Sequence, residues 1–96
     1  MATDTVIDTD IEDLLKSVEE KQKESRVILY NDDFNSFDHV VESLMEVLKC
    51  PEEEAYVYTL QAHKTGRATI KKGTRYECEK VAVSLSILNL TTEVTD

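Results

Sequence analysis

A single proline and two glycines divide this chain of 96 residues, and they limit where its helices and strands can begin and end. Pro51 lacks a backbone N–H, so it suits the first position of a helix, and the glutamates at 52–54 suit that helix's positive N-terminal end. Gly66 can adopt the left-handed conformation that closes a helix. Gly73 ends the segment Lys-Lys-Gly, residues 71–73, which we predict to be a turn.

The apolar pattern between these breaks predicts three strands and three helices in the order β-α-α-β-α-β. Short runs rich in β-branched residues indicate strands, and apolar residues three or four positions apart indicate helices. The strands are predicted at residues 25–30, 67–71 and 90–94, and the helices at residues 36–49, 51–65 and 74–89. Two adjacent helices between the first two strands, without a tandem βαβ repeat, favour an α+β fold. We expect a small antiparallel three-stranded sheet with three helices packed on one face.

Capping residues support the starts of two of these helices. Asn35 or Ser36 can cap the first helix, because their short polar side chains accept hydrogen bonds from its first backbone N–H groups. Thr74 and Glu77 form a Thr-x-x-Glu capping box at the start of the third helix. Asn89 is a candidate for the end of that helix.

Net charge and cysteine spacing exclude several classes of function. Eleven basic and twenty acidic residues give a net charge of −9, so phosphate groups repel the chain and we expect neither a nucleic-acid nor a membrane partner. No apolar run approaches the roughly 20 residues of a membrane-spanning helix, and no secretory signal peptide is visible. Cys50 and Cys78 fit neither a CxxC metal site nor a disulfide framework. Reduced thiols in the cytoplasm are the simplest interpretation.

Residues 1–24 differ in composition from the rest of the chain. They hold eight acidic and three basic residues, and no aromatic residue, glycine or proline. This composition predicts a flexible N-terminal extension. A weak helix stays open as an alternative, because five apolar residues fall at helical spacing. They are Ile7, Ile11, Leu14, Leu15 and Val18. Residues 25–96 are predicted to form a single domain.

The loop after the first predicted strand carries the most distinctive polar cluster, Asn31, Asp32 and Asp33. Carboxylates favour a cation, and an amide side chain both donates and accepts hydrogen bonds. A primary ammonium beside a peptide group needs that combination, and binding groups are often presented on such loops. The alternative is that Asn31 or Asp33 only caps the turn and the following helix.

Evidence for catalysis is weak. The two histidines have no adjacent nucleophile elbow, and the two glycines are too few for a phosphate-binding loop. A metal site from Asp32, Asp33 and His63 is conceivable, but nothing in the sequence determines its geometry. We therefore predict a protein that is not an enzyme and has no cofactor.

Two segments, "YNDDFNSFDHVVESLMEVL" and "LQAHKTGRATI", resemble the ClpS adaptor family, and the resemblance covers about residues 26–88. It implies that Asn31, Asp32 and His63 hold the α-amino group and first peptide unit of a substrate, with Asp33 as the second acid of the loop. It also implies an apolar pocket for the first side chain and a docking surface for the unfoldase. The implied pocket residues are Phe37, Val40, Thr59, Ala62 and Leu90, and the implied docking residues are Glu77 and Lys80.

The resemblance implies a non-enzymatic adaptor. Such a protein binds N-degron substrates through a free α-amine and a bulky first residue (Leu, Phe, Tyr or Trp), and delivers them to a ClpA- or ClpC-type AAA+ unfoldase. Phe37 and Thr59 stand where methionine is common in the family. A docking-only modulator of the unfoldase that has lost degron binding is therefore the alternative. Taken singly, His63 could be a basic group at a helix C-terminus, and Phe37 and Val40 could be ordinary core residues.

Overall fold

The computed structural model describes residues 24–96. The predicted N-terminal extension, residues 1–24, lies outside these residues except for Glu24. Within the described part, three strands and three helices follow one another in the predicted order β-α-α-β-α-β. The strands are β1 (Ser25–Tyr30), β2 (Arg67–Gly73) and β3 (Thr92–Thr95), and the helices are α1 (Phe37–Leu48), α2 (Glu52–Thr65) and α3 (Arg75–Ile87).

The sheet has β1 at its centre, with β2 and β3 antiparallel on either side. The side chains of β1 alternate between the faces of the sheet, so Val27 and Leu29 are buried while Arg26 is exposed. A bulge between Val27 and Ile28 shifts the register with β2. The three helices pack on the face to which Val27 and Leu29 point, and this arrangement confirms the predicted α+β fold.

The core between sheet and helices is small and consists mainly of aliphatic side chains. Its fully buried large members are Val27 and Leu29 from β1, Leu44 from α1 and Leu85 from α3. Among residues 24–96, the buried apolar set is Val27, Leu29, Val41, Leu44, Ala55, Ala62, Ala68, Ile70, Cys78, Leu85 and Leu90. Every helix contributes to this set, so each is held by burial of its apolar face rather than by helix propensity alone.

The helix ends follow the predicted capping chemistry closely. Ser36 caps α1, since its side chain accepts a hydrogen bond from the His39 N–H. Thr74 caps α3 by accepting from the Glu77 N–H. Gly66 closes α2 at a φ of 94°, a left-handed conformation that favours glycine.

Several boundaries differ from the sequence-based expectations, and three of the differences concern Lys-Lys-Gly, Pro51 and the last strand. The segment 71–73 is the end of β2 rather than a turn, because it pairs with residues 25–27 of β1. Pro51 is the N-cap of α2, one position before the first helical residue. The last strand begins at Thr92 rather than residue 90, because the Leu90 N–H still donates to the Leu85 carbonyl and closes the end of α3. None of the helices formed by residues 24–96 is long and apolar enough to cross a membrane.

Candidate functional site

A cavity of about 170 Å³ lies where the loop after β1, the helices α1 and α2, and the segment after α3 meet. Each of these segments contributes side chains to it, so the cavity exists only in the folded chain. Its lining is Leu29, Tyr30, Asn31, Asp32, Asp33, Asn35, Phe37, Val40, Thr59, Ala62, His63 and Leu90. The structure thus brings together all nine residues expected to bind the α-amine and the first side chain. It adds Leu29, Tyr30 and Asn35, which the sequence analysis did not assign to the site.

Asp32 organises the loop through its carboxylate. Its Oδ1 accepts hydrogen bonds from the backbone N–H groups of Phe34 and Asn35, at 3.0 and 2.8 Å, and its Oδ2 accepts from the Asn35 side-chain amide at 2.9 Å. Partial burial raises the pKa of Asp32, but the Asn35 and Phe34 hydrogen bonds and the charge of His39 outweigh burial. The net result is a pKa below the ordinary value of 3.8. Asp32 is therefore ionised at neutral pH and holds the turn.

This arrangement reassigns the turn-capping role. The alternative interpretation gave that role to Asn31 or Asp33, whereas the structure gives it to Asp32, the residue expected to bind the amine. Asp33 is exposed beside it. Oδ1 accepts three of the turn hydrogen bonds but Oδ2 accepts only one, so a lone pair of Oδ2 is left for a further donor.

Asn35 connects the loop to the far end of α3. Its side-chain amide donates to both carboxylate oxygens of Asp32 and, at 2.8 Å, to the backbone carbonyl of Asn89. Asn89 has a φ of 69°, and this left-handed residue turns the chain toward the buried Leu90. The sequence suggested only a helix-capping role for Asn35. Its partner lies 54 positions away, so no local pattern could reveal the contact.

Backbone hydrogen bonds tie the same loop to α2 and to the segment before β3. The Asn31 N–H donates to the Gly66 carbonyl at 2.9 Å, next to the helix end that carries His63. The Tyr30 N–H donates to the Thr91 carbonyl at 2.9 Å. These contacts, with the left-handed Gly66, set the position of the acidic loop relative to His63.

The wall of the cavity is largely apolar. Phe37 and Val40 are one turn apart on α1, and Thr59 and Ala62 are one turn apart on α2, so each pair shares a helix face. Thr59 is 5% exposed, and its hydroxyl donates to the Ala55 carbonyl at 2.8 Å. Because the helix satisfies this hydroxyl hydrogen, Thr59 does not place an unpaired donor beside the cavity.

Aromatic rings cluster at the α1 side of the cavity. The Phe37 ring lies edge-to-face with the Tyr56 ring, with centroids 5.2 Å apart and planes at 63°. The Phe37 ring also lies edge-to-face with the His63 ring, with centroids 6.4 Å apart and planes at 82°. Phe37 is therefore placed between two rings of α2. The sequence analysis did not assign Tyr56 to the site, although Tyr56 lies three residues before Thr59 and seven before His63.

Comparison with protein-family models identifies the family to which the chain belongs. Residues 20–89 match the model described as ATP-dependent Clp protease adaptor protein ClpS. The chain belongs to the ClpS family. The family description is that of an adaptor of the ATP-dependent Clp protease, and the resemblance inferred from the two sequence segments is confirmed.

Individual relatives agree with membership of the ClpS family. The ClpS of Nautilia profundicola is 37% identical over 70 residues, which cover 73% of this chain and 66% of that protein. The human E3 ubiquitin-protein ligase UBR1 is 35% identical over 63 residues, covering 66% of this chain but only 4% of the ligase. This chain thus corresponds to a short region of that enzyme. A solved structure of Agrobacterium tumefaciens ClpS2 bound to L-phenylalaninamide shares the fold, with a TM-score of 0.73 and 24% identity. The match covers 76% of this chain and 95% of that one.

The residues expected to dock a ClpS partner lie elsewhere, on α3. Glu77 and Lys80 are both exposed, and neither lines the cavity. The Glu77 carboxylate is 3.9 Å from the Lys71 ammonium, and the Lys80 ammonium lies 5.7 Å from the centroid of the Tyr76 ring. The two residues are one helical turn apart and form a charged surface of mixed sign.

The metal alternative gains no support from this geometry. Among residues 24–96, no group of three or more His, Cys, Asp or Glu side chains is arranged to hold a metal ion. The second histidine, His39, is 2.8 Å from the Leu88 carbonyl through its Nε2 and so bonds α1 to the end of α3. His39 therefore has a structural role in the described part of the chain.

Proposed function

We propose that this chain binds proteins through a free α-amine and a bulky hydrophobic first residue (Leu, Phe, Tyr or Trp) and delivers them to a AAA+ Clp unfoldase. The observation that carries the proposal is the combination of an acidic mouth and an apolar wall around one cavity. Asn31, Asp32, Asp33 and His63 line the cavity together with Phe37 and the rest of that wall. In this proposal the chain acts as a non-enzymatic adaptor without a cofactor.

The acidic mouth suits an α-ammonium group. Asp32 carries a negative charge at neutral pH, and its lowered pKa keeps that charge in moderately acidic solution. Asp33 adds a second exposed carboxylate, and Asn31 adds an amide that can pair with a peptide group. Each charge-assisted hydrogen bond to the ammonium contributes roughly 1.5–3 kcal/mol. N-acetylation removes the positive charge, so a blocked N-terminus is expected to lose this stabilisation.

The cavity suits one side chain of moderate size. An apolar protein cavity of about 150 Å³ is large enough to hold a benzene molecule, and this cavity measures about 170 Å³. Burial of a Leu or Phe side chain there would contribute roughly 1.5–3 kcal/mol. The ClpS2 structure offers a parallel, since its ligand is a phenylalanine derivative. Together with the ammonium contacts, burial is expected to give micromolar or tighter binding.

Delivery needs a second surface, and we propose that Glu77 and Lys80 supply it. A ClpA- or ClpC-type unfoldase would contact α3 while the cavity holds the substrate, because neither docking residue lines the cavity. In this proposal residues 25–96 are the adaptor domain and residues 1–24 an N-terminal extension. Cys50 and Cys78 are free thiols, consistent with an activity in the cytoplasm.

The proposal is tested by fluorescence anisotropy with labelled peptides that begin with Phe or Leu, each free and N-acetylated. A free-amine peptide that begins with Ser is the control for the apolar pocket. We expect tight binding of the free Phe and Leu peptides only. If neither free peptide binds while an unfoldase still does, degron binding is contradicted and the docking-only modulator is favoured. Equal binding of the free and acetylated peptides would contradict the assignment of the amine site.

A further inference from the structure

Tyr56 lies outside the cavity lining but contacts a residue of its wall. It is on the second turn of α2, half exposed, and its ring meets the edge of the Phe37 ring at 5.2 Å. Phe37 in turn meets the His63 ring, two helical turns further along the same face of α2. The three rings form a continuous row from solvent to the mouth of the pocket.

This row restrains Phe37. Edge-to-face aromatic pairs are favourable beyond the area they bury, and Phe37 meets one such partner on each side. A phenyl ring has only two side-chain torsions, whereas a methionine has three and adapts more easily to different neighbours. Phe37 is therefore a wall residue with a preferred position.

The size of the cavity makes that position important for specificity. Its volume of about 170 Å³ suits a single six-membered ring or a Leu side chain. A bicyclic indole is larger than a phenyl ring, so its fit depends more strongly on where the wall residues stand. Phe37 is only partly buried, so it is freer to move than the buried Thr59 and Ala62.

We propose that Tyr56 is a positioning residue that holds Phe37 and thereby makes the pocket select Phe and Leu over Trp as the first residue. The inference rests on the proposed function, because it refines the specificity of the same pocket. Tyr56 acts through Phe37 and does not itself contact the first side chain. Its ring, rather than its hydroxyl, carries the effect.

The test compares binding of free-amine peptides that differ only in their first residue, Phe or Trp. Anisotropy gives the ratio of Kd for Trp to Kd for Phe in the wild type and in three variants. Tyr56→Ala removes the ring contact, Tyr56→Phe keeps it, and Val57→Ala alters an exposed neighbour that does not line the cavity. We expect the ratio to fall roughly 2- to 12-fold in Tyr56→Ala, as the loss of one aromatic pair predicts. It should stay unchanged in the other two variants.

A ratio that is unchanged in Tyr56→Ala would overturn the inference, as would an equal fall in Tyr56→Phe.

A spectroscopic measurement separates this failure from failure of the proposed function. The NMR resonances of the Phe37 and His63 rings should shift in Tyr56→Ala, beyond the direct loss of the Tyr56 ring current, and should stay in place in Tyr56→Phe. If the wild type binds no peptide, the proposed function is wrong and the specificity claim falls with it. Unchanged Phe37 torsions in a Tyr56→Ala structure would refute the positioning role whether or not peptides bind.

Discussion

The cavity is assembled from four separate segments of the chain, whereas the surface proposed for unfoldase docking comes from a single helix. The loop after β1, the two helices α1 and α2, and the segment after α3 all reach the cavity. Hydrogen bonds from Asn31 to Gly66 and from Asn35 to Asn89 hold these segments together. On α3, Glu77 and Lys80 lie one turn apart because of the helix itself, and this spacing needs no contact to any other segment.

Because of this difference, substitutions in the two regions should affect different combinations of stability, peptide binding and docking. In the pocket, Asp32 both holds the loop and lines the cavity, so its removal combines a structural and a binding effect. On α3, the contacts of Lys80 and Glu77 are with exposed neighbours, and such contacts contribute little to stability. A substitution there should change docking and leave the fold and the pocket intact.

The largest effect is expected at Asp32. Asp32→Ala removes the acceptor for two backbone N–H groups, so it should destabilise the fold by about 1–3 kcal/mol. It also removes the negative charge at the mouth, so it should weaken free-amine binding roughly 10- to 150-fold. Asp32→Asn keeps an oxygen for the backbone groups and removes only the charge. It should lose most of the binding with a smaller loss of stability. Chemical denaturation and anisotropy measure the two effects, and full affinity in Asp32→Asn would contradict the ammonium site.

Filling the cavity should have the next largest effect. Ala62 is 3% exposed in the wall, so in Ala62→Leu the new side chain competes with the first residue of a substrate for the same space. We expect binding of a Phe peptide to weaken at least about tenfold, the value that lost burial of one large side chain predicts. The matched control is Gln61→Leu on the same helix, where the side chain is exposed. Retained Phe binding in Ala62→Leu, measured by anisotropy, would show that the pocket wall is wrongly placed.

A change of charge on α3 should weaken unfoldase binding by a smaller factor than the pocket substitutions weaken peptide binding. Lys80→Glu reverses an exposed charge, and exposed interface charges mainly change association rates and their dependence on salt. We expect binding to a purified ClpA- or ClpC-type unfoldase to weaken severalfold at low salt, with peptide affinity unchanged. Lys72→Glu, on β2, is the control for net charge. An equal loss in both variants would indicate a general charge effect and would contradict a docking role for Lys80.

The smallest effect is the dependence of stability on pH. Because folding lowers the pKa of Asp32, the folded state favours its ionised form. The resulting stabilisation is fully present above the ordinary value of 3.8 and is lost as the pH falls through the lower folded value. The wild type should therefore be more stable than Asp32→Asn near neutral pH, and the two should converge in acid. A difference that stays constant down to about pH 2.5, measured by chemical denaturation, would contradict the ionic role of Asp32.

Sequence patterns were sufficient for the elements and for their order along the chain. The apolar spacing of residues 36–49 and the capping residues Ser36, Thr74 and Gly66 correctly predicted where helices lie, because these signals act within one turn of the chain. The order of elements then indicated the α+β fold. The ClpS-like segments indicated which side chains share a site, and the structure places all nine of those residues around one cavity.

Errors occurred where a distant partner decides the conformation. The Lys-Lys-Gly segment has the composition of a turn, but pairing with β1 extends β2 to Gly73. Asn35 was one of two candidates for the cap of α1; Ser36 has that role, and the Asn35 side chain contacts Asn89. Tyr56 showed no special feature, although its spacing from Thr59 and His63 places it on the face of α2 that reaches the pocket.

The amino-acid sequence by itself determined the helices, their caps, the acidic loop and the family, because each depends on residue types and spacings within a short stretch. The tertiary structure alone decided that Asn35 joins the loop to the end of α3, and that Phe37 lies between Tyr56 and His63. These contacts join residues from different elements. Their geometry follows from how the helices pack on the sheet, and no local pattern encodes that packing.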